Sequence, residues 1–570
     1  MADSDVDIEA DDGVSSGAEA WSGGRAGFAA AGALLLAACG DGGGGSGSGP
    51  TTGASPGSPV VVAPPAGPTA TEASRLLGQA TMGATRAEID KVVSLGFAGW
   101  IDAQIAMPRT TSYWDWLVVN GYNAVANING MNGFDPMVWS QLITAPDQLR
   151  QRVMTALLDI LVVGIGGVNL SWRQFAMASY MDVLADNAFG NYRTLLGAIT
   201  TNAAMGSFLT FLNNRKANAT TGAQPDENYA RELMQLFTLG LYRLNADGTV
   251  VTSGGAPVET YKQVDVSGLA RVFTGLQVTG SDNTTPDRLR VPLSMTASLN
   301  ETGSATFLGT TVTGGGMAAV NSALDTIFAH QNMAPFVSRQ LIQRLVTSNP
   351  SAAYVGRIAA VFADNGKGVR GDLAAVVRAI LLDTDARSTA ALTSTTAGKL
   401  RDPVQRLTGW ARAFNASSPS SAWAIGDTSS PSSRLGQSIG RSPSVFNFFR
   451  PGYEPPATGF ATAGLVAPEF QITNEQSVVA YVNYMYGLVA NGTGDVKADY
   501  TAIQAKAGDT AALVDEVNLL LAAGQLSATT IAAIQKAVDS VATTATNAAI
   551  NRVGIAIMLT LASPDYLTVR

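Results

Sequence analysis

Apolar positions recur at helical spacing through most of the chain beyond about residue 70, and PDENYARELMQLFTLGL, Pro225 to Leu241, is the clearest case. Tyr229, Leu233, Leu236, Phe237 and Gly240 fall at i, i+4, i+7, i+8 and i+11, one apolar stripe on a helix. Pro225 and Asp226 mark its start, because an aspartate there accepts hydrogen bonds from unpaired N–H groups of the first turn. Gly240 marks its stop, where a left-handed residue is wanted. Glu227 and Arg231 lie on the far side, in the favourable order for an i, i+4 pair. At ~100° per residue, Asn228 and Glu232 fall on the shoulder of the stripe, where a charge is partly desolvated. A carboxylate so placed needs a partner or a raised pKa, and either a structural network or chemistry satisfies that need.

The same periodicity predicts helices over Glu72–Gln79, Arg86–Leu95, Gly99–Ala106, Pro146–Val163, Trp172–Asp186, Tyr192–Asn202, Pro225–Leu239 and Gln263–Thr274. Further on it predicts Met317–His330, Met333–Val346, Ala352–Asn365, Asp372–Leu382, Pro403–Asn415, Glu475–Val489, Thr510–Ala522, Ala528–Val541 and Ala548–Ala562. Strand patterns are few: Gly248–Ser253 pairs naturally with Ala256–Tyr261, and Leu289–Met295 with Thr306–Val312. The expected fold class is mainly α, a large multi-helix domain with irregular loops and a few short β-hairpins. Residues 71–472 are read as the main helical domain and 473–570 as a C-terminal helical bundle packed on it. No fixed-period repeat is visible, which excludes a solenoid.

Beyond the Pro225 helix, EASRLLGQATMGATRAEID from Glu72, DQLRQRVMTALLDILVV from Asp147 and YMDVLADNAFGNYRTLL from Tyr180 follow in a recognisable order. YKQVDVSGLARVFTG from Tyr261, HQNMAPFVSRQLIQRLVTSNP from His330, GKLRDPVQR from Gly398 and RSPSVFNFFRPGY from Arg441 continue it. With these segments the chain resembles the bacterial family called "domain of unknown function 1800" from about Glu72 to Arg570. The resemblance implies no settled activity. Relatives are often encoded beside exported proteins that look like sulfatases or alkaline phosphatases, which implies a partner or accessory role. Relatives often carry a His and a Lys where this chain has Asn300 and Ala305, and some a His in place of Phe237, so any site those residues form elsewhere is depleted here.

Only 14% of the 570 residues are charged, against ~25% for an ordinary soluble protein. A net charge of −8 and a pI near 4.9 exclude a nucleic-acid footprint. One Cys and one His in the whole chain rule out Cys/His zinc sites, iron–sulfur clusters and paired-His catalytic metals. No metal and no cofactor is expected. DNGKGVRGD, Asp364 to Asp372, lacks the alternating carboxylates of a calcium loop and reads as a turn, with Asp372 capping the next helix.

Residues 1–39 read as an export signal. GFAAAGALLLAAC, Gly27 to Cys39, is too short to span a bilayer, which takes ~20 apolar residues. Leu36 to Cys39 resembles a lipobox, so Cys39 is the expected lipidation site, and Gly40 after it favours the outer membrane. Acidic residues precede Arg25, whereas an export signal wants a positive start, so translation beginning downstream, for example at Val14, fits better. GGRAGF, Gly23 to Phe28, resembles a degraded twin-arginine signal. Residues 40–70, rich in Gly, Ser and Pro, read as a flexible tether with a reach of ~30 Å. The expected location is the cell envelope, at the outer membrane or in the periplasm, anchored through Cys39.

The remaining candidates carry two readings each. Asp182 and Asp186, at i, i+4 on one helix, either hold a cation or substrate or are neutralised by Arg193 or a neighbouring cap. His330 ends a helix, where an imidazolium caps the last carbonyls. Arg339 and Arg344 either bind an anionic group or pair with Glu232. Two functions stay open. One is a helical scaffold or accessory binding protein for another exported protein. The other is a carboxylate hydrolase for glycan-type substrates, with Glu232 and one of Asp226, Glu227 or Asp265 as acid and base. Asn228, Arg231, His330, Arg339, Arg344, Asp182 and Asp186 are the candidate binding residues.

Overall fold

Helix starts and stops in the computed structural model follow from local chemistry that the residues carry with them. It describes residues 67–570; the expected export signal, the expected lipidation site Cys39 and the expected tether before residue 67 lie outside the described residues. Helix α1 (Ala70–Ala80) opens with a reciprocal cap, Glu72 N donating to Thr69 Oγ1 at 3.2 Å and Thr69 N to Glu72 Oε2 at 2.8 Å. Helix α2 (Arg86–Ala106) bends at Gly96, whose φ of 72° interrupts it, so the two helices expected there are its limbs. Then come α3 (Tyr113–Val119), α4 (Phe134–Thr144), α5 (Gln148–Ile160), α6 (Arg173–Asp186), α7 (Tyr192–Thr200) and α8 (Ala203–Phe208). Helix α9 (Asn228–Glu232) precedes α10 (Gln263–Val272), α11 (Gly316–Ala329), α12 (Met333–Leu345), α13 (Ala352–Ala363), α14 (Leu373–Leu382) and α15 (Pro403–Ala413).

The last long helices are α16 (Glu475–Asn491), α17 (Thr510–Ala522), α18 (Ala528–Asp539) and α19 (Ala548–Ala562). They pack on one another, and α17 also meets α1 and α15. Ser74 Oγ donates to Leu519 O at 2.6 Å and Arg75 Nε to Arg570 O at 2.8 Å, tying the first helix to the C-terminal end. Between α13 and α14 the chain turns on itself, Asp364 Oδ1 accepting from the Gly366 and Gly368 N–H groups. Asp372 Oδ1 then accepts from Ala375 N at 3.2 Å and caps α14, as expected. The fold is mainly α.

Strands are two or three residues long and pair antiparallel in four separate hairpins or ladders among the described residues. β1 (Thr252–Ser253) pairs with β2 (Ala256–Pro257), within the first expected hairpin. The second expected pairing is corrected. Leu289–Met295 supplies β4 (Ser294–Met295), which pairs with β3 (Leu276–Gln277). Thr306–Val312 is no single strand but folds back on itself, β5 (Ala305–Phe307) on β6 (Thr310–Val312). The cause is the two-residue turn Leu308-Gly309, with φ of 49° and 74°, the sign that a tight hairpin needs. β7 (Lys399–Leu400) pairs with β8 (Thr568–Val569), bringing the C-terminus beside the start of α15. Trp100, Trp139, Trp172 and Trp410 lie fully inside the apolar core.

Candidate functional site

The Pro225 segment is α-helical only over Asn228–Glu232 and then widens into a π-helix over Leu233–Thr238. The expected regular helix over Pro225–Leu239 is thus corrected at both ends. Asp226 sits before it, its Oδ1 accepting from Asn228 N at 2.8 Å and its Oδ2 from Thr210 Oγ1 at 2.9 Å. Asn228 Nδ2 faces the same Thr210 hydroxyl at 3.4 Å. The wider turn shifts the stripe, so Met234 is buried while Leu236 is only half-buried. It also leaves carbonyls that outside donors must satisfy. Gln340 Nε2 donates to Leu236 O at 3.1 Å, Tyr192 Oη to Phe237 O at 2.7 Å and Asn332 Nδ2 to Leu239 O at 3.0 Å. Gly240, at a φ of 76°, ends the segment. Short π-helical turns cluster at functional sites.

Most of the candidate carboxylates are occupied. Glu227 accepts from Ser267 Oγ at 2.5 Å, Gln263 Nε2 at 2.7 Å and Arg231 Nη2 at 3.0 Å, and the Ser267 bond leads in lowering its pKa. Asp265 accepts from Lys262 N at 2.7 Å and Leu308 N at 2.8 Å. Glu232 is different. It is 7% exposed, and its Oε2 is sealed from solvent without a partner among the described residues. Burial raises its pKa, with Arg231 opposing. Tyr261 Oη is likewise unpartnered, and burial followed by the Glu232 charge pushes its pKa up to about 12. Neither Arg339 nor Arg344 pairs with Glu232, so that expectation is corrected.

Asp182 and Asp186 are bridged by one guanidinium, Arg109, which binds Asp182 directly and Asp186 Oδ1 at 2.9 Å. Asp182 also accepts from the Tyr113 and Trp114 N–H groups at 2.8 and 3.0 Å, capping the start of α3. Burial pushes its pKa up to about 6, against the pull of Arg109. The expected neutraliser, Arg193, instead pairs with Asp325 at 2.7 Å. His330 is corrected too. Its Nδ1 accepts from Asn332 N at 3.1 Å, and burial, then Arg243 and Arg370, lower its pKa, so a neutral ring stands where an imidazolium cap was expected. Arg370 caps α11 in its place, donating to Phe328 O at 3.0 Å and His330 O at 3.1 Å.

A cleft of about 420 Å³ opens beside the π-helix. One face of α12 forms a wall, with Phe336, Arg339, Gln340, Gln343 and Arg344 at i, i+3, i+4, i+7 and i+8. Gln235 and Leu236 of the π-helix, Leu241, Tyr242 and Val250 of the following ladder, and Val445 and Phe446 complete it, with Asp159 at the end of α5. Glu232 is not part of this lining. Below it lies a group of buried charges that sequence reading missed. Lys399 Nζ binds Glu469 Oε1 at 3.0 Å and Asp402 Oδ2 at 3.5 Å, and donates to Arg344 O at 3.1 Å. Arg152 donates to the same carbonyl, and Gln405, with its amide turned to satisfy both neighbours, accepts from Arg152 Nε at 3.0 Å and donates to Asp402 Oδ2 at 3.2 Å. Two cations therefore meet the last turn of α12, where the helix dipole is negative. Asp159 Oδ1 accepts from Asn447 Nδ2 at 2.5 Å, and burial raises its pKa, with Arg344 the leading opponent. One signal marked Asp159: it is an acid inside the apolar run LLDILVV.

A mainly helical protein with a cleft walled by guanidinium and apolar side chains is the class these features define. The chain belongs to the family described as "Protein of unknown function (DUF1800)", whose profile matches residues 75–568. No curated protein and no solved structure matches it.

Proposed function

We propose that the protein is an exported, lipid-anchored accessory protein of the cell envelope that recognises another exported protein through the cleft beside α12. The observation that supports recognition over hydrolysis is the disposition of the carboxylates. Asp226, Glu227, Asp265, Asp182 and Asp186 are each taken up by hydrogen bonds or guanidinium groups. None is left to serve as the second acid or base that Glu232 would need for glycoside cleavage. The cleft supplies what a binding site needs, apolar and aromatic walls with a few directional polar groups. Anchoring through Cys39 and the tether from residue 40 would hold that cleft near the membrane surface.

The partner class is the exported sulfatase- or alkaline-phosphatase-like protein that the family resemblance implies. Titration of the purified full chain with that partner tests the reading, alongside Phe446→Ala and Tyr242→Ala. A complex that both substitutions weaken about tenfold supports it, a loss of about 1.4 kcal/mol in binding. No complex at concentrations on the order of 10 μM, or one indifferent to both substitutions, overturns it.

A further inference from the structure

We infer that the cleft beside α12 receives a small organic oxyanion with an apolar body, a carboxylate or a sulfate or phosphate monoester, with Arg344 as the deep anchor and Arg339 at the mouth. The inference deepens the recognition reading above and rests on it only for the cleft being a binding site.

Arg344 carries the argument. It is 3% exposed, yet its guanidinium makes no hydrogen bond and no ion pair among the described residues, and its Nε is sealed off without an acceptor. It lies over the Phe449 ring, 5.1 Å from the guanidinium carbon to the ring centre. Of the five N–H donors of its guanidinium, the one on Nε is left unmet away from water, which is costly unless something arrives to meet it. The nearest acid of the cleft, Asp159, stands outside ion-pair distance of 4.0 Å and already accepts from Asn447. The other two buried acids, Asp402 and Glu469, are taken by Lys399.

Arg339 adds the second cation. It lines the same cleft, stays open to solvent, and has no carboxylate or carbonyl partner among the described residues. Arg152, Arg344 and Lys399 all act on Asp159, and Lys399 holds Asp402 and Glu469, whereas Arg339 has no acid of its own among the described residues. Five residues along a helix separate the two backbone positions by about 7.5 Å along its axis. The neighbouring amides do not compete, since Gln340 donates to Leu236 O and Gln343 to Ser348 O at 3.0 Å. Leu241, Val250, Phe336 and Phe446 offer an apolar wall to the rest of the ligand. The planar fork of arginine matches a carboxylate or a tetrahedral oxyanion, which selects the head-group class. A volume of about 420 Å³ has room for a small head group and its apolar body.

Calorimetric titration of the full chain with octanoate, octyl phosphate, octanol and acetate tests this. Saturable binding of octanoate or octyl phosphate at one per chain is expected, with octanol and acetate weaker by about tenfold or more. Which amphiphile binds tells carboxylate from phosphate ester; either supports the proposal. Arg339→Ala, at an exposed position, should lower affinity several-fold with unchanged circular dichroism, and Arg344→Met should abolish binding. Because Arg344→Met bears on a buried group, the Arg339→Ala result decides if that variant fails to fold. Absence of saturable binding of both amphiphiles to the wild-type chain overturns the proposal. So does binding that Arg339→Ala leaves unchanged. If the small anions fail while the exported partner binds and Phe446→Ala weakens it, the oxyanion falls and the recognition reading stands. If the anions bind and no protein partner does, the reverse holds.

Discussion

Lys399 Nζ lies 3.0 Å from Glu469 Oε1, and both side chains are only 2% exposed. Their charges join β7, next to the start of α15, to the short helical turn Pro468–Ile472. Burial raises the Glu469 carboxyl, and Lys399 opposes it. Lys399 also reaches Asp402 Oδ2 at 3.5 Å, so removing the lysine strips two buried acids of one ammonium, whereas neutralising Glu469 leaves the lysine with Asp402. Lys399→Met should therefore cost about 3–5 kcal/mol in denaturant unfolding, and Glu469→Gln distinctly less. Equal losses for the two variants would mean that Asp402 does not hold the ammonium.

The π-helix makes a separate expectation. Tyr192 Oη donates to Phe237 O at 2.7 Å with both groups buried, and no water can replace that donor. Tyr192→Phe keeps the ring and removes only the hydroxyl. The unmet carbonyl should cost about 1–3 kcal/mol, with faster amide exchange across Leu233–Thr238. Exchange that stays at the wild-type rate there would show that the wide turn does not depend on this bond.

Arg109 and Arg193 offer a contrast. Arg109 holds the largely buried Asp182, whereas Asp325, the partner of Arg193, is mostly in water. Arg109→Ala should cost about 3 kcal/mol by leaving Asp182 without a cation, and Arg193→Ala about 1 kcal/mol or less. Thermal unfolding of the two variants measures the difference. If Arg193→Ala is the more damaging, the assignment of Arg109 as neutraliser is wrong.

How much of this was legible follows from how far apart the determinants lie. Helix positions were readable because spacing at 3.6 residues is a local property, and so were the Asp372 cap and the Gly240 stop. The π-helix was not, since it depends on Gln340 and Tyr192, 104 and 45 residues away from the carbonyls they satisfy. Likewise Asp182 finds Arg109 across 73 residues, while Arg193, only eleven residues on, turns elsewhere. The turn at Leu308-Gly309 lacks the Asn-Gly or Asp-Gly signature, so a strand pattern ran through it unbroken. Glu232 was singled out correctly as half-hidden, but the guanidiniums proposed for it went to a different cavity. The buried charges at Arg152, Lys399, Asp402 and Glu469 carry no pattern of their own; only tertiary packing gathers them.

Cys39→Ser tests the anchoring part of the proposed function. The substitution removes the thiol that lipidation requires, so the protein should move from the membrane fraction to the soluble fraction of the envelope. A two-chain or longer lipid anchor is strong enough that fractionation reads it directly. Unchanged membrane retention would show that Cys39 is not the attachment point.

Glu232 supplies a prediction with a definite sign in pH. Its folded pKa is raised by burial above that of an unfolded glutamate, near ~4.3, so the folded chain holds this proton more tightly than the unfolded chain does. Stability from this group is then fully present below about pH 4 and is lost as the pH rises through the folded value. Glu232→Gln keeps the shape and cannot ionise, so that loss should vanish. At pH 8 the glutamine protein should be the more stable by about 1–3 kcal/mol, the cost of a buried unpartnered charge. Near pH 4, with the carboxyl protonated in both states, the two proteins should be about equal. Denaturant unfolding of both chains from pH 4 to 8 makes the comparison. Should the glutamine protein be the less stable at pH 8, the carboxylate has a favourable partner after all. The carboxylate hydrolase would then regain its acid, and a glycan-type substrate would be the next ligand to try.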